Sequence, residues 1–501
     1  MIRVAILLIA MFAPLQVARA EWFEASSDHF VVYADDSLKD ITSFSRRLER
    51  FHSALEIATG RKLGAPSPSN RVTIYVVRSE REVRKLANAK RSYLGGFYIS
   101  RAGGSLAVVP RVDVRGKVTD GTMLTLLHEY AHHFTHATST FPMPRWMSEG
   151  GAEFFATASF EPNGNVMLGR PAQHRAYELY LAVDVSAEEL LDPEVYDAKK
   201  GKSSAYNAFY GRAWLLYHYL TFEPERRGQM IDYIKRLYAG EQMRSAALAA
   251  FGDFKALDSD LDKYLRRRQL HFMDVKHAAI TEGPVKVRQL SPGEIAMMPV
   301  RTQAKLGVND DEAKALVLEG RAIAARYPQD ASVLAMLAEN EFDAGNDDAA
   351  IAAADRALAL DPTKVNAYVQ KGYAMFRKAS KADDEEKAYA EAIRPFLALN
   401  RLENDHPMPL IWFYRSFVDR GAAPSPLAVQ GLERAAQLAP FDLGLRMDLA
   451  KLQIHEGRFA AARFNLKPLA YYPHPNEGSE AAKLLLDQIE GKTDAPVAAG
   501  N

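Results

Sequence analysis

The stretch "LLHEYAHHF", residues 126–134, sets three histidines and a glutamate into an apolar helical background. Acids rarely share a buried helix face with histidines, so packing alone explains the stretch poorly. His128, Glu129 and His132 spell H-E-x-x-H. Positions i and i+4 share one face of a helix, so both imidazoles can reach a single ion. Glu129 sits about 100 degrees further around the axis, where its carboxylate can reach a water on that ion without becoming a ligand. With 13 histidines in 501 residues, the motif arises by chance in about 2% of such chains. Its place on an apolar helix makes coincidence harder still. Imidazole pairs suit zinc, and a catalytic zinc takes three protein ligands and leaves the fourth position to water. His132 and His136 form a second i,i+4 pair but lack an acid placed like Glu129. His133 and His136 are therefore expected to support the ligands or face solvent.

Working outward, "PRWMSEGGAEFFA" (144–156) offers Glu149 and Glu153 as candidates for the third ligand. Here the chain resembles the gluzincin metallopeptidases, the thermolysin-like and aminopeptidase-like clan, at Trp146, Glu149, Gly150 and Ala152 of a W-x-x-E-G-x-A pattern. The resemblance implies Glu149 as the third zinc ligand, although the sixteen residues between it and His132 are slightly fewer than in the aminopeptidase branch. It also implies that Glu153, one turn later, orients a zinc-bound histidine. Gly150 and Gly151 each cost a helix interior about 1 kcal/mol relative to alanine. Two together point to a close backbone approach, for which the motif helix is the natural candidate. Further on, "YNAFYGRAWLLYHYL" (206–220) resembles the tyrosine-containing helix of the clan's exported, peptidase MA-like members. That resemblance implies Tyr210, ahead of Tyr206, as the donor to an oxyanion. The G-x-M-E-N signature with which aminopeptidases hold a free N-terminus is absent, which tilts the reading toward an endopeptidase.

The surrounding text predicts an α+β domain. "HFVVYAD" (29–35) and "RVTIYVV" (71–77) read as strands, and 40–60 as a helix stopped by Gly60. A charged helix is expected near 79–90. "GGFYIS" (95–100) and "SLAVVP" (105–110) read as a strand pair whose edge suits an extended peptide. Helices follow at 121–137, 146–160, 172–183, 204–221, 226–239 and 256–270. "GPVKVRQLSPGEIAMMPV" (283–300) reads as a linker or a short capping hairpin.

Beyond Arg301 the chain is rich in alanine and leucine and helical in pattern. Pro328 and Pro362 lie 34 residues apart, the period of a tetratricopeptide repeat. Leu334, Leu337, Ala338, Ala350 and Ala357 fall between them at the large and small positions of that pattern. A second unit starts at Val365 and carries an insertion of about 11 residues. Residues 407–440 form a weaker copy interrupted by "APSP", and Pro440 to Pro473 bounds another unit. Three to four repeats are expected over 310–490.

Lys plus Arg and Asp plus Glu both number 63. Such balance supplies no broad cationic surface and argues against nucleic-acid or anionic-lipid partners. There is no cysteine, so any metal is held by His, Asp or Glu. "MIRVAILLIAMFAPLQVARA" (1–20) matches a secretory signal peptide, and its apolar run is too short for a stable membrane span. The sequence thus predicts a signal peptide (1–20), a gluzincin-like α+β zincin domain (21–275) and a linker (276–305). An all-α tetratricopeptide-repeat solenoid (306–490) and a disordered tail (491–501) follow. The expected function is a periplasmic or secreted Zn2+ metallopeptidase acting on a peptide or protein substrate. Glu129 would be its general base, and the repeats would dock substrate or a protein partner. The alternatives are a non-catalytic repeat scaffold with a structural zinc domain, and a zinc hydrolase of a non-peptide amide.

Overall fold

The computed structural model describes residues 21–86, 96–112, 114, 116, 119–139, 141, 143–200, 206–472 and 477–494. The expected leader, residues 87–90, Pro473 and most of the tail lie outside the described residues. The first five strands are β1 (Trp22–Ser26), β2 (Phe30–Asp35), β3 (Val72–Val77), β4 (Phe97–Ile99) and β5 (Leu106–Pro110). A small antiparallel sheet is built from β6 (Ser159–Phe160), β7 (Val166–Leu168) and β8 (Met273–Val275). The last strand, β9 (Lys286–Gln289), joins the first five in a six-stranded sheet of order β4-β5-β3-β2-β1-β9.

The centre of that sheet, β2-β3-β5, is parallel. Parallel neighbours need crossovers, supplied by α1 (Leu38–Thr59) and α2 (Glu80–Leu86). Ser37 caps α1 by accepting from the Asp40 amide, and Gly60 closes it at φ 66°. The central strands are covered on both faces, which is why "FVVYAD" reads as an unbroken apolar run rather than an alternation. Phe30, Val32 and Ile74 pack toward α1 and the helix that carries the histidines. Tyr33, Tyr75 and Val108 pack on the opposite face.

The histidine helix α3 (Gly121–Thr138) is capped by Asp120, which accepts from the Met123 amide. It is followed by α4 (Arg145–Ala156), which starts immediately after Pro144. The helical lobe continues with α5 (Ala176–Leu181), α6 (Ala187–Leu191), α7 (Pro193–Lys200) and α8 (Phe209–Phe222). It ends with α9 (Gln229–Tyr238), α10 (Met243–Phe251) and α11 (Phe254–Leu265). The helix expected at 172–183 is instead a 3-10 turn, Gln173–Arg175, running into the short α5.

Two expectations need correction. A close backbone approach at Gly150 and Gly151 does exist, but the neighbour is α8 rather than α3. A Cβ on Gly150 would lie 2.3 Å from the Ala213 carbonyl oxygen, and one on Gly151 would lie 3.1 Å from the Tyr217 ring. The region 276–305 is not a linker. Its "KVRQ" is β9, paired antiparallel with β1, and Ser291 opens α12 (Pro292–Leu306) through a capping box with Glu294. Met298 of α12 is buried with Tyr33, Tyr75 and Val83. This helix therefore closes the second face of the sheet.

From there the chain is all-α. After α13 (Asp310–Arg326), α14 (Ala331–Asp343) and α15 (Asp347–Leu360) form the first clear hairpin. The next joins α16 (Val365–Ala379) to α17 (Glu385–Ala392) and α18 (Arg394–Leu402), the extra helix accommodating the inserted residues. A Cβ on Gly372 would meet the Phe396 ring at 2.3 Å, so the small residue sets how closely α16 and α18 approach. "APSP" is the turn of the hairpin α19 (Pro407–Val418) and α20 (Pro426–Leu438), with Ser425 as cap and Pro426 at the first helical position. The array ends with α21 (Leu443–His455), α22 (Phe459–Ala470) and α23 (Glu477–Gln488). These stacked hairpins form an all-α repeat solenoid. Among the described residues no helix is long and apolar enough to cross a membrane.

The solenoid sits on the sheet domain through polar contacts. Glu403 accepts from the Ser69 amide and hydroxyl at 2.8 and 2.9 Å. Asn70 donates to the Leu438 carbonyl at 2.9 Å. Ser100 donates to the Phe441 carbonyl at 2.6 Å, and the Ala102 amide donates to Asp442 at 2.7 Å.

Candidate metal centre

On α3, His128 and His132 point one turn apart toward α4, and their Nε2 atoms lie 3.1 Å from each other. Glu149 of α4 is completely buried between them. Its Oε2 stands 3.5 Å from His128 Nε2 and 3.4 Å from His132 Nε2. Two nitrogens and one carboxylate oxygen thus form a nearly equilateral triangle. Zinc bonds of about 2.0–2.1 Å in tetrahedral array place ligand atoms about 3.3 Å apart, so this donor set fits the ion in both chemistry and spacing. It is the one group of three or more His, Asp or Glu side chains among the described residues with such convergence.

The residues around the triangle fix the rings. Glu153, fully buried one turn after Glu149, lies 3.2 Å from His128 Nδ1. A carboxylate there accepts the Nδ1 proton and leaves Nε2 turned toward the triangle. Glu153 is itself held by His174 Nε2 at 2.6 Å and by the Arg175 guanidinium at 2.5 Å. Burial opposes its ionisation, but hydrogen bonds from His128, His174 and Arg175 outweigh it and hold the carboxyl well below the usual range. Burial likewise works against a charged His128, yet Glu149 and Glu153 raise it to about 10. The pocket therefore favours positive charge, as a cation site must. Ser148 Oγ lies 3.2 Å from His132 Nδ1 and positions the second imidazole.

The triangle opens into a cavity of about 490 Å³. Glu129 and Tyr210 line it, as do Tyr98 and His136. Tyr206 does not; it is exposed and donates to Glu178. Burial and then the Glu149 charge push the Tyr210 phenol up, so it stays protonated and able to donate. The Arg175 guanidinium lies over its ring at 4.8 Å. His133 corrects the expectation of a solvent-facing residue in one respect. It is buried against Tyr98, with its ring nitrogen and the phenol hydrogen-bonded, and burial lowers it to about 3. His136 stacks on His132 at 6.0 Å and lies tilted by 36° against Tyr472 at 5.3 Å.

The far wall of the cavity comes from the solenoid: Phe441, Asp442, Leu443, Gly444 and Tyr472. Strand β4, an edge strand of the large sheet among the described residues, leads into this wall through Ser100 and Ala102. His174, Arg175, Ser148, Tyr98 and the solenoid residues were not singled out from the sequence. Ser148, next to Glu149, and Tyr98, within the strand pair at 95–110, had a local signal; the others had none.

A family described as "Protein of unknown function (DUF1570)" matches residues 122–241. That span holds the three triangle residues together with Glu129, Glu153, His174, Arg175 and Tyr210, but none of the solenoid wall. No curated protein matches the chain. Among solved structures, the chain is similar to TTC0263, a thermophilic TPR protein of Thermus thermophilus. Identity is 17% over 39% of this chain and 97% of that one, with a TM-score of 0.33. MamA from Desulfovibrio magneticus shows 12% identity over 40% and 97% of the two chains, with a TM-score of 0.28. Yeast Tom70 shows 12% over 73% and 71%, with a TM-score of 0.27. Overlaps of this size add nothing to the reading of the site, which rests on the chain's own geometry.

Proposed function

We propose that the chain is a zinc-dependent hydrolase of peptide bonds with a gluzincin-like centre, His128, His132 and Glu149 holding the ion. The observation that supports this reading is the triangle of donor atoms at 3.1, 3.4 and 3.5 Å with Glu129 beside it on the cavity wall. Zinc, when bound, would supply the Lewis acidity that polarises a carbonyl and brings a water's pKa toward neutrality. Glu129 then accepts the water proton as its oxygen attacks the carbonyl carbon, and passes that proton to the leaving amine. The Tyr210 hydroxyl donates to the developing oxyanion. Glu153, anchored by His174 and Arg175, keeps the His128 ring aligned throughout. An extended peptide laid along the edge strand β4 would bring its backbone to the triangle, which favours peptides over other amides. In this reading cleavage is internal to the substrate chain, and the protein is exported under the leader at 1–20.

Elemental analysis of purified protein and proteolytic profiling against Glu129→Gln test both parts. One zinc per chain in both proteins, with peptide cleavage lost only in the variant, is expected. Equal cleavage by the two proteins, or no zinc in either, overturns the proposal. A second reading is favoured by the extent of the hairpin array: a repeat scaffold for partner proteins in which the zinc domain is structural. Retained zinc with no cleavage of any peptide by the wild type would decide for the scaffold.

A further inference from the structure

A second, larger cavity of about 710 Å³ lies away from the triangle, between the second face of the large sheet and the helices α12, α14 and α16. Its volume is that of a small-molecule site. Its walls are amphipathic: aromatic rings from Tyr33, Tyr75 and Tyr373 alternate with charged groups. The charges do not balance. Arg288 takes up Glu24 and Glu294 at 2.6 and 2.8 Å, and Lys305 takes up Glu339 at 2.6 Å. Three lining guanidiniums remain, those of Arg71, Arg101 and Arg301, and among the described residues none has a carboxylate within ion-pair distance. Arg71 donates to the Ser26 hydroxyl and to backbone carbonyls of Ser27 and Pro68. Arg101 donates to the carbonyls of Gly104 and Lys305. Arg301 lies 4.3 Å over the Tyr33 ring and donates to its hydroxyl at 3.0 Å. The fourth lining acid, Asp343, is raised to about 7 by burial and by Glu339, against the pull of Lys305, Arg377 and Arg101.

A cavity lined by guanidiniums that are held only by neutral acceptors keeps a positive potential that draws an anion. We propose that this cavity binds a small anionic molecule with a carboxylate or phosphate head and an apolar body. The head sits among the Arg71, Arg101 and Arg301 guanidiniums, whose planar forks match such oxyanions. The body lies against Val365, Val369 and Tyr373 of α16, half-buried side chains of the cavity wall. This site uses none of the residues assigned to zinc or hydrolysis.

The test uses full-length, zinc-loaded Glu129→Gln protein, so that no turnover confuses the readout. Phenyl phosphate and phenylacetate are titrated by calorimetry. Dissociation constants of about 1 mM or tighter are expected for at least one probe. Tighter phenyl phosphate points to a phosphorylated ligand and tighter phenylacetate to a carboxylate. Arg71→Gln and Arg301→Gln should each weaken binding about 10- to 100-fold, the effect of one charge-assisted contact. Arg101→Gln, whose guanidinium holds only backbone carbonyls, should weaken binding by a similar factor, and an unchanged circular dichroism spectrum in all three variants separates lost contacts from misfolding. No binding of either probe overturns the proposal. So does binding that all three variants leave unchanged.

Discussion

Replacing Gly150 with alanine tests how the site is held. The added Cβ would lie 2.3 Å from the Ala213 carbonyl oxygen and 2.7 Å from its carbon. Both are backbone atoms of α8, so no rotamer change relieves the clash, and α4 must move away from α8 by about 1 Å to restore ordinary contact. Overpacking of this kind costs about 1–3 kcal/mol, and a rigid backbone neighbour puts this case at the upper end. Alanine returns about 1 kcal/mol through its better helix propensity. The net loss is about 2 kcal/mol, and each kcal/mol lowers the thermal midpoint by about 2–4 °C for a domain of this size. Gly151→Ala is the internal control. Its Cβ meets only the Tyr217 ring, at 3.1 Å, and a side chain can yield. Differential scanning calorimetry of both variants should therefore show a large drop for Gly150→Ala and little change for Gly151→Ala. Because Glu149 precedes Gly150, zinc affinity should fall only in the first variant. A Gly150→Ala protein as stable as the wild type would falsify the packing of α4 on α8 and, with it, the position given to Glu149.

Other outcomes follow from the same geometry. Glu153→Gln removes the charge that aligns His128 and should weaken zinc binding about 10- to 100-fold in competition with a chromophoric chelator, with the circular dichroism unchanged. Glu294 is held down to about 2 from an ordinary 4.5; burial opposes this, and Arg288 and the Ser291 amide outweigh it. A depressed carboxyl stabilises the fold above its unfolded value and loses that contribution as pH falls through the folded one. The stability difference between wild type and Glu294→Gln in urea titrations should therefore be full above pH 4.5 and shrink toward pH 2. An unchanging difference across that window would rule out the ion pair. Asp442→Ala removes the acceptor that ties the solenoid to the Ala102 amide. It also removes the cap that accepts from the Leu445 amide at the start of α21, so the loss of two hydrogen bonds, about 2 kcal/mol, should loosen the cavity wall and raise cleavage of bulky protein substrates several-fold relative to short peptides.

How much of this was readable in the sequence depended on range. His128, Glu129 and His132 are legible because helical periodicity alone brings them together, and Glu149 because its flanking residues carry a recognisable pattern. The glycine pair announced a close approach, but its partner, Ala213, lies more than sixty positions along the chain, and no local signal names it. Residues 286–289 looked like a linker because a four-residue edge strand acquires meaning only from β1, its distant partner. The solenoid's contribution to the cavity was invisible for the same reason: Phe441 and Asp442 form an ordinary inter-helix turn, and Leu443 and Gly444 open α21, until the fold sets them against the sheet domain.

The pairing of β1 with β9 and the seating of α12 on the sheet have a consequence for biosynthesis. Ribosomes deliver the chain from its N-terminus, yet the large sheet lacks an edge strand and one covering helix until residue 306 has emerged. A nascent product ending near 275 would expose Tyr33, Tyr75 and Val108 together with an unpaired strand margin, which invites self-association. Expression of residues 21–275 alone is thus a poor route to a folded product, whereas a boundary placed beyond Leu306 preserves the sheet's covering.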